Sequence, residues 1–155
     1  MRDVMANSKG GSAVYGSAIW QLGNAWKRYA AAAIRTENVT YVQFLVLKAA
    51  SDLLGTKSVI TQTEIAGYLN ANPMIISSVI RALKKQKLVI IRAHPRDSRA
   101  KRVLLSENGQ LTTSRCCDIL EHHEHVFFES ITSDFDAFRS HLLRLAAAHP
   151  FVMDT

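Results

Sequence analysis

Residues 61–105 read TQTEIAGYLNANPMIISSVIRALKKQKLVIIRAHPRDSRAKRVLL, and the order of signals in this stretch decides the fold. Thr61 with Glu64 three residues later is a capping box, and Ile65, Ala66 and Leu69 supply the buried face of a short helix. Asn70-Ala71-Asn72 breaks that helix. Asn72 caps the next one, whose first position is Pro73, where a missing N–H costs nothing. Ile76, Val79, Ile80 and Leu83 form its inner stripe. Two helices joined by a tight turn make a helix-turn-helix. The β-branched run Leu88–Arg92, the polar, proline-containing His94–Ala100 and the apolar return Arg102–Leu105 predict a β-hairpin immediately after it. A hairpin in that place is a wing.

Outward from this centre, apolar residues at helical spacing (Ile19, Leu22, Trp26, Tyr29, Ala33) predict a first helix over residues 13–34. Val42, Leu45, Val46, Ala49 and Leu53 predict a second over residues 40–54, with Gly55 at its end. Ser106 caps a helix reaching to about Ile131, and Ser133 with Asp136 caps a last one ending near Pro150. The fold class is mainly α (α+β): a winged helix-turn-helix of about six helices and one β-hairpin. Residues 1–12 read as a mobile arm and 13–155 as a single domain. Within it, residues 40–105 form the DNA-binding part, and helices 13–35 and 106–149 form a dimerisation region. Phe128, Ile131, Phe135, Phe138, Leu142 and Leu145 repeat at alternating intervals of 3 and 4, more apolar surface than a terminal hairpin buries alone. A second copy of the chain covers it most simply, an intrachain helical bundle being the other solution.

Charge says what the centre meets. The 155 residues carry a net +6. From Pro73 to Leu105 nine Lys/Arg face one acid, Asp97, whereas from Ser106 onward three bases face eight acids. Positive charge gathered into one short segment is the footprint of a polyanion-binding surface. An apolar share of 48% supports a packed core, no apolar run reaches the roughly 18 residues of a membrane span, and the first twelve residues lack the apolar stretch of a secretory leader. Cys116 and Cys117, adjacent, make no disulfide framework, so a reducing cytoplasm is expected.

With Ile76, Ile80 and Leu83 inward, the second helix turns Met74, Ile75, Ser77, Ser78, Arg81, Lys84 and Lys85 outward or to its edges. A helix fits the major groove of duplex DNA with its N-terminal residues on base edges. Ser77, Ser78 and Arg81 suit hydrogen bonding there, Met74 or Ile75 suits a thymine methyl, and Lys84 and Lys85 suit phosphates. In the hairpin, Arg96, Asp97, Arg99 and Lys101 are the candidates: Asp97 holds arginines in place and leaves an Arg for a narrow minor groove.

The run LVIIRAHPRDSRAKRVLLSENG, residues 88–109, resembles the wing signature of the MarR (multiple-antibiotic-resistance regulator) family, with Asp97 and Arg99 on its Asp-x-Arg. Thr-x-x-Glu-Ile-Ala at residues 61–66 is similar to that family's first motif helix. The resemblance implies a homodimer reading a pseudo-palindromic operator through two helices and two wings, most often as a repressor. It further implies release by a small molecule bound in a crevice between the dimerisation and DNA-binding parts. Two positions depart from the pattern: Lys87 stands where the family often has Gly, and Ser78 where it often has Arg.

Weaker signals are set beside these. Asp118, His122, His125 and Glu129 are spaced 4-3-4 on one helix face, as metal ligands or as a plain solvated face. Cys116 and Cys117 open a redox-responsive reading, although no neighbouring base marks a lowered thiol pKa. His123, in line with Cys116 and Ile119, reads as a packed residue. Trp20, Trp26, Tyr29 and Phe44 are candidates for an aromatic ligand crevice, or core. No cofactor is expected. No Gly-rich phosphate loop, nucleophile elbow or metalloprotease motif is present, so the chain does not read as an enzyme. A winged-helix adaptor without specific DNA binding is the remaining alternative, and it predicts a neutral helix and wing.

Overall fold

The computed structural model describes residues 14–96, 100–129 and 134–149. The order is α1 (Val14–Ala33), a 3-10 turn (Arg35–Glu37), α2 (Tyr41–Thr56), β1 (Ile60–Thr61), α3 (Gln62–Tyr68), α4 (Pro73–Lys85), β2 (Val89–Ala93), β3 (Lys101–Leu105), α5 (Glu107–Phe127) and α6 (Phe135–Ala148). The helix-turn-helix and wing stand where the pattern predicts them. Thr61 accepts from the Glu64 N–H while the Glu64 carboxylate accepts from the Thr61 N–H, closing the capping box. Asn72 caps α4 by accepting from Met74 N at 2.8 Å.

α2 is the hub, packing against α3, α4, α5 and the sheet. Leu47 and Val46 from α2, Ile65 from α3, Ile76, Ile80 and Leu83 from α4, and Cys116 from α5 close around it. The antiparallel sheet has the order β1-β3-β2. Register pairs Ile60 and Ile91 with Val103, and Val89 with Leu105, on the core side. Ile90 with Leu104, and Arg92 with Arg102 beside Thr61, take the other face, since side chains alternate along a strand.

Several boundaries differ from the expectation. β1, the 3-10 turn and a second capping box between Thr40 and Gln43 carry no periodicity to announce them. Gly55 does not end α2: the helix runs through it to Thr56, and Lys57 closes it in an extended conformation with its N–H on Leu53 O. α5 stops at Phe127, short of Ile131. α6 follows Asp134, whose backbone (φ −120°, ψ 14°) is not the extended form that lets a side chain cap, so no side-chain cap bond is made there. Ser133, the residue expected to cap α6, lies outside the described residues, as do the arm 1–12, Asp97, Arg99, Ile131 and Pro150.

Two helix ends use left-handed residues. After α3, Asn70 (φ 49°) lets Ala71 N reach Ala66 O. After α4, Lys87 (φ 60°) lets Leu88 N reach Leu83 O at 3.0 Å while Lys87 N reaches Lys84 O. The strain expected of Lys in a glycine position is therefore present. This corner is locked onto α5. Ser106 Oγ donates to Lys87 O at 2.7 Å, Ser106 N donates to Leu88 O at 3.1 Å, and Gly109 N donates back to Ser106 Oγ. A Cβ on Gly109 would lie 2.0 Å from Leu88 O, so only glycine permits this approach.

The terminal helices are different in kind. α6 buries no residue and α1 buries only Ala30. Ile19 and Leu22, expected on the inner stripe of α1, are exposed, as are Leu142 and Leu145 on α6. Trp26 and Tyr29 do turn inward, meeting Phe127 at 5.1 and 5.2 Å, and Phe128 meets Phe135 and Phe138 at about 6 Å. Among the described residues no helix is long and apolar enough to cross a membrane.

Candidate nucleic-acid interface

α4 is strongly two-sided. Ile76, Ile80 and Leu83 are buried, and Met74 and Ile75 are 76% and 57% exposed at its N-terminal end. Met74, Ser78, Arg81 and Lys85 fall on one solvent-facing strip, with Lys84 beside it and Ser77 half-buried at the margin. A large exposed thioether and an exposed β-branched chain at a helix start cost solvation with no return inside the chain, which marks a contact surface. Among the described residues, ion pairs join Lys48 to Asp52, Lys57 to Glu64 and Arg115 to Glu37. Among the described residues, none of the bases on α4 or the wing is neutralised in this way.

The hairpin is closed by His94 N donating to Ala100 O, and Arg96 N donates to His94 Nδ1 at 3.2 Å. His94 thus braces the turn while Arg92, Arg96 and Lys101 remain exposed. The structure adds Arg92 and Arg102 to the basic surface. Neither was singled out from sequence, because only strand register reveals that they stand opposite one another.

The aromatic quartet is brought together only in part: Trp26 and Tyr29 lie 6.1 Å apart, and Tyr41 stands between Trp26 and Phe44. Trp20 is 72% exposed. Trp26 donates its indole N–H to Tyr41 Oη at 2.7 Å, and Tyr29 Oη lies 3.1 Å from His123 Nδ1, placing His123 in the packed layer as its spacing suggested. Burial pushes the Tyr41 phenol upward in pKa, against the lowering effect of the Trp26 bond. Phe44 alone of the four lines a cleft between α2 and α5, about 320 Å³, with Tyr41, Leu45, Lys48, Cys117 and Leu120. Helical spacing could not separate this residue from its core neighbours.

The metal quartet also fails to converge. Among the described residues no three His, Cys, Asp or Glu side chains lie close enough to hold a metal ion. Asp118, His122 and His125 are exposed along α5, and Glu129 is exposed beyond its end. A shared face fixes their direction, but a ligand cage needs a second element opposite. As for the thiols, burial pushes Cys116 up to about 11, reinforced by Glu37, and raises Cys117 against the opposing pull of Lys48. Raised thiol pKa values disfavour the thiolate that a redox switch uses.

Three comparisons bear on this arrangement. An uncharacterised HTH-type transcriptional regulator of Bacillus subtilis, YdcH, is 27% identical over 113 residues, spanning 73% of this chain and 77% of its own. A MarR-family regulator from Rhodococcus superposes with a TM-score of 0.78 at 20% identity, over 94% of this chain and all of that one. A mutant of E. coli MarR, crystallised in complex with operator DNA, superposes with a TM-score of 0.75 at 20% identity, over 84% of this chain and 91% of its own. The chain has the MarR winged-helix fold. No family model matches it. On this fold, α3 and α4 are the helix-turn-helix, β2 and β3 the wing, and the basic segment from Arg81 to Arg102 runs through α4 and the wing.

Proposed function

We propose that this protein is a sequence-specific, double-stranded DNA-binding transcription regulator that acts as a homodimer, a ligand-responsive repressor. The observation that carries the reading is the conjunction of an exposed, unneutralised α4 strip with a basic wing on a MarR fold. In this reading α4 enters the major groove, where Met74, Ile75, Ser77, Ser78 and Arg81 meet base edges and Lys84 and Lys85 meet phosphates. Arg96, Asp97, Arg99 and Lys101 serve the flanking minor groove. The E. coli relative, bound to operator DNA, supports this placement. A neutral interaction surface, which the adaptor alternative requires, is not what α4 and the wing present.

The open faces of α1 and α6 support pairing between two copies, through Phe128, Ile131, Phe135, Phe138, Leu142 and Leu145, so that residues 40–105 read DNA and the ends assemble. The operator is then pseudo-palindromic, matching the two-fold axis. The small-molecule effector takes the cleft around Phe44, Lys48 and Cys117, between the long helix α5 and α2. The protein works in the cytoplasm, where its thiols stay reduced.

The test is a fluorescence titration against duplex DNA from upstream of the protein's own gene and other candidate operators, with random duplex as competitor. We expect a preference of at least about a thousandfold for one operator at physiological salt. Ser78→Ala and Arg81→Ala should relax sequence preference at defined positions, by about 1–3 kcal/mol for Arg81, while Lys84→Ala and Lys85→Ala weaken binding to all sequences alike. Equal, salt-labile binding to every duplex tested would overturn the reading and leave the adaptor.

A further inference from the structure

The outer face of the sheet holds two arginines that the reading above does not use. Arg92 is paired with Arg102 across β2 and β3, and Arg102 with Thr61 across β3 and β1. Directly paired residues project from the same face, so the two guanidinium chains are neighbours, on the side opposite Ile91, Val103 and Ile60. Like charges so placed repel, and folding alone offers no reason to set them there.

Among the described residues neither arginine enters an ion pair. Arg102 Nε is buried without any hydrogen-bond partner. Buried donors in folded proteins are nearly always satisfied by protein, water or an ion, so this one marks a place where an acceptor from outside the chain can bind. The nearby carboxylate does not serve. Glu64 is held by Lys57 Nζ at 2.7 Å and by the N–H and hydroxyl of Thr61 at 2.8 and 2.9 Å. The Lys57 ammonium foremost, with Thr61, keeps that carboxyl below its usual range, so it is fully engaged as an anion elsewhere. What the row lacks is an oxyanion with several acceptor oxygens. Two adjacent guanidinium forks are the donor set that recognises one.

We propose that Arg92 and Arg102 form a phosphate-binding site at the base of the wing, whose occupant is a backbone phosphate of the bound duplex. This rests on the DNA-binding reading and adds to it a contact that anchors the wing without reading sequence. Arg102, half-buried and fixed by the sheet, sets the position of the phosphate, and the exposed Arg92 closes over it.

The test compares the full-length protein with Arg92→Gln, Arg102→Gln and the double variant, on random duplex and on the best-bound operator, across a potassium chloride series. The double variant is expected to lose affinity for both duplexes in equal proportion, and its slope of log affinity against log salt to shrink by about 1 per protomer. An unchanged slope, while the wild type still prefers its operator, would overturn this site and leave the DNA-binding reading standing. A second arm uses the DNA-free protein and inorganic phosphate. Phosphate at constant ionic strength should raise the Tm of the wild type and leave Arg92→Gln unmoved, while Arg92→Gln alone should melt higher than the wild type at low salt because repulsion is removed. Because Arg92 is exposed, that variant folds irrespective of Arg102. If the wild type binds no duplex yet shows the phosphate response, the site is a free-phosphate site and the DNA assignment of its occupant falls. A phosphate response of the same size in Arg92→Gln would overturn the site itself.

Discussion

The central body and the two end helices use equally apolar sequence to opposite effect. In the body, every stripe finds a partner: Leu47, Ile65, Ile80, Leu83 and Val103 are fully buried against one another. On the ends, the stripes are covered only in part, Trp26 and Tyr29 meeting Phe127 while other apolar side chains stay open. Ile19, Trp20, Leu143 and Leu145 are more than half exposed, and α6 contributes no buried residue at all. A 3.6-residue period states only that a helix has an apolar side; whether that side meets its own chain or another copy depends on what lies opposite. The contrast divides the molecule into a part that closes its core within the chain and a part that leaves apolar surface open.

The largest effect that tests this division is in the body. Leu47→Ala, at the α2 hub, should cost about 2–5 kcal/mol by urea denaturation and should do so at any protein concentration. A cost that vanished on dilution would tie the hub to the assembly and erase the distinction. Next comes the end region. Leu142→Asp with Leu145→Asp removes two leucines that each contribute about 1.5–3 kcal/mol when fully buried. We expect a hundredfold or larger rise in the dimer dissociation constant by sedimentation, on the order of 3 kcal/mol, with circular dichroism of the body unchanged. A dimer of undiminished affinity would place the interface elsewhere. The smallest effect lies at the seam between the two regions. Lys87→Gly relieves a left-handed conformation costing about 1–2 kcal/mol but loses about 0.5–1 kcal/mol to unfolded-chain freedom, for a net gain of about 0.5–1 kcal/mol. Loss of stability would mean that the Lys87 side chain carries a contact of its own.

The motif and wing could be read from sequence because their signals act over three or four residues. Thr61 with Glu64, Asn72 before Pro73, and Ser106 before α5 each declare a helix start locally, and the caps form as read. β1 could not be read: two residues, Ile60 and Thr61, become a strand only by pairing with Val103 and Arg102 far along the chain. The same long-range dependence hid the Arg92–Arg102 opposition. The Trp20, Trp26, Tyr29 and Phe44 set, read as crevice or core, and the Asp118, His122, His125 and Glu129 set, read as ligands or a solvated face, stay undecided by sequence for a related reason. Spacing tells which residues share a helix face, and never what stands across from it. Lys87 is legible through the family resemblance, which often has Gly at this place, and its φ is indeed positive, 60°.

The carbonyl of Leu88 is a weld. It follows the corner that Leu88 N closes on Leu83 O, precedes the first wing strand, takes the Ser106 N–H at 3.1 Å and leaves no room for a side chain at Gly109. The helix α4, the wing and α5 are therefore tied together at one corner. In the proposed two-fold pair, the separation of the two α4 helices then follows the angle at which the long helices cross, and a single glycine holds that link.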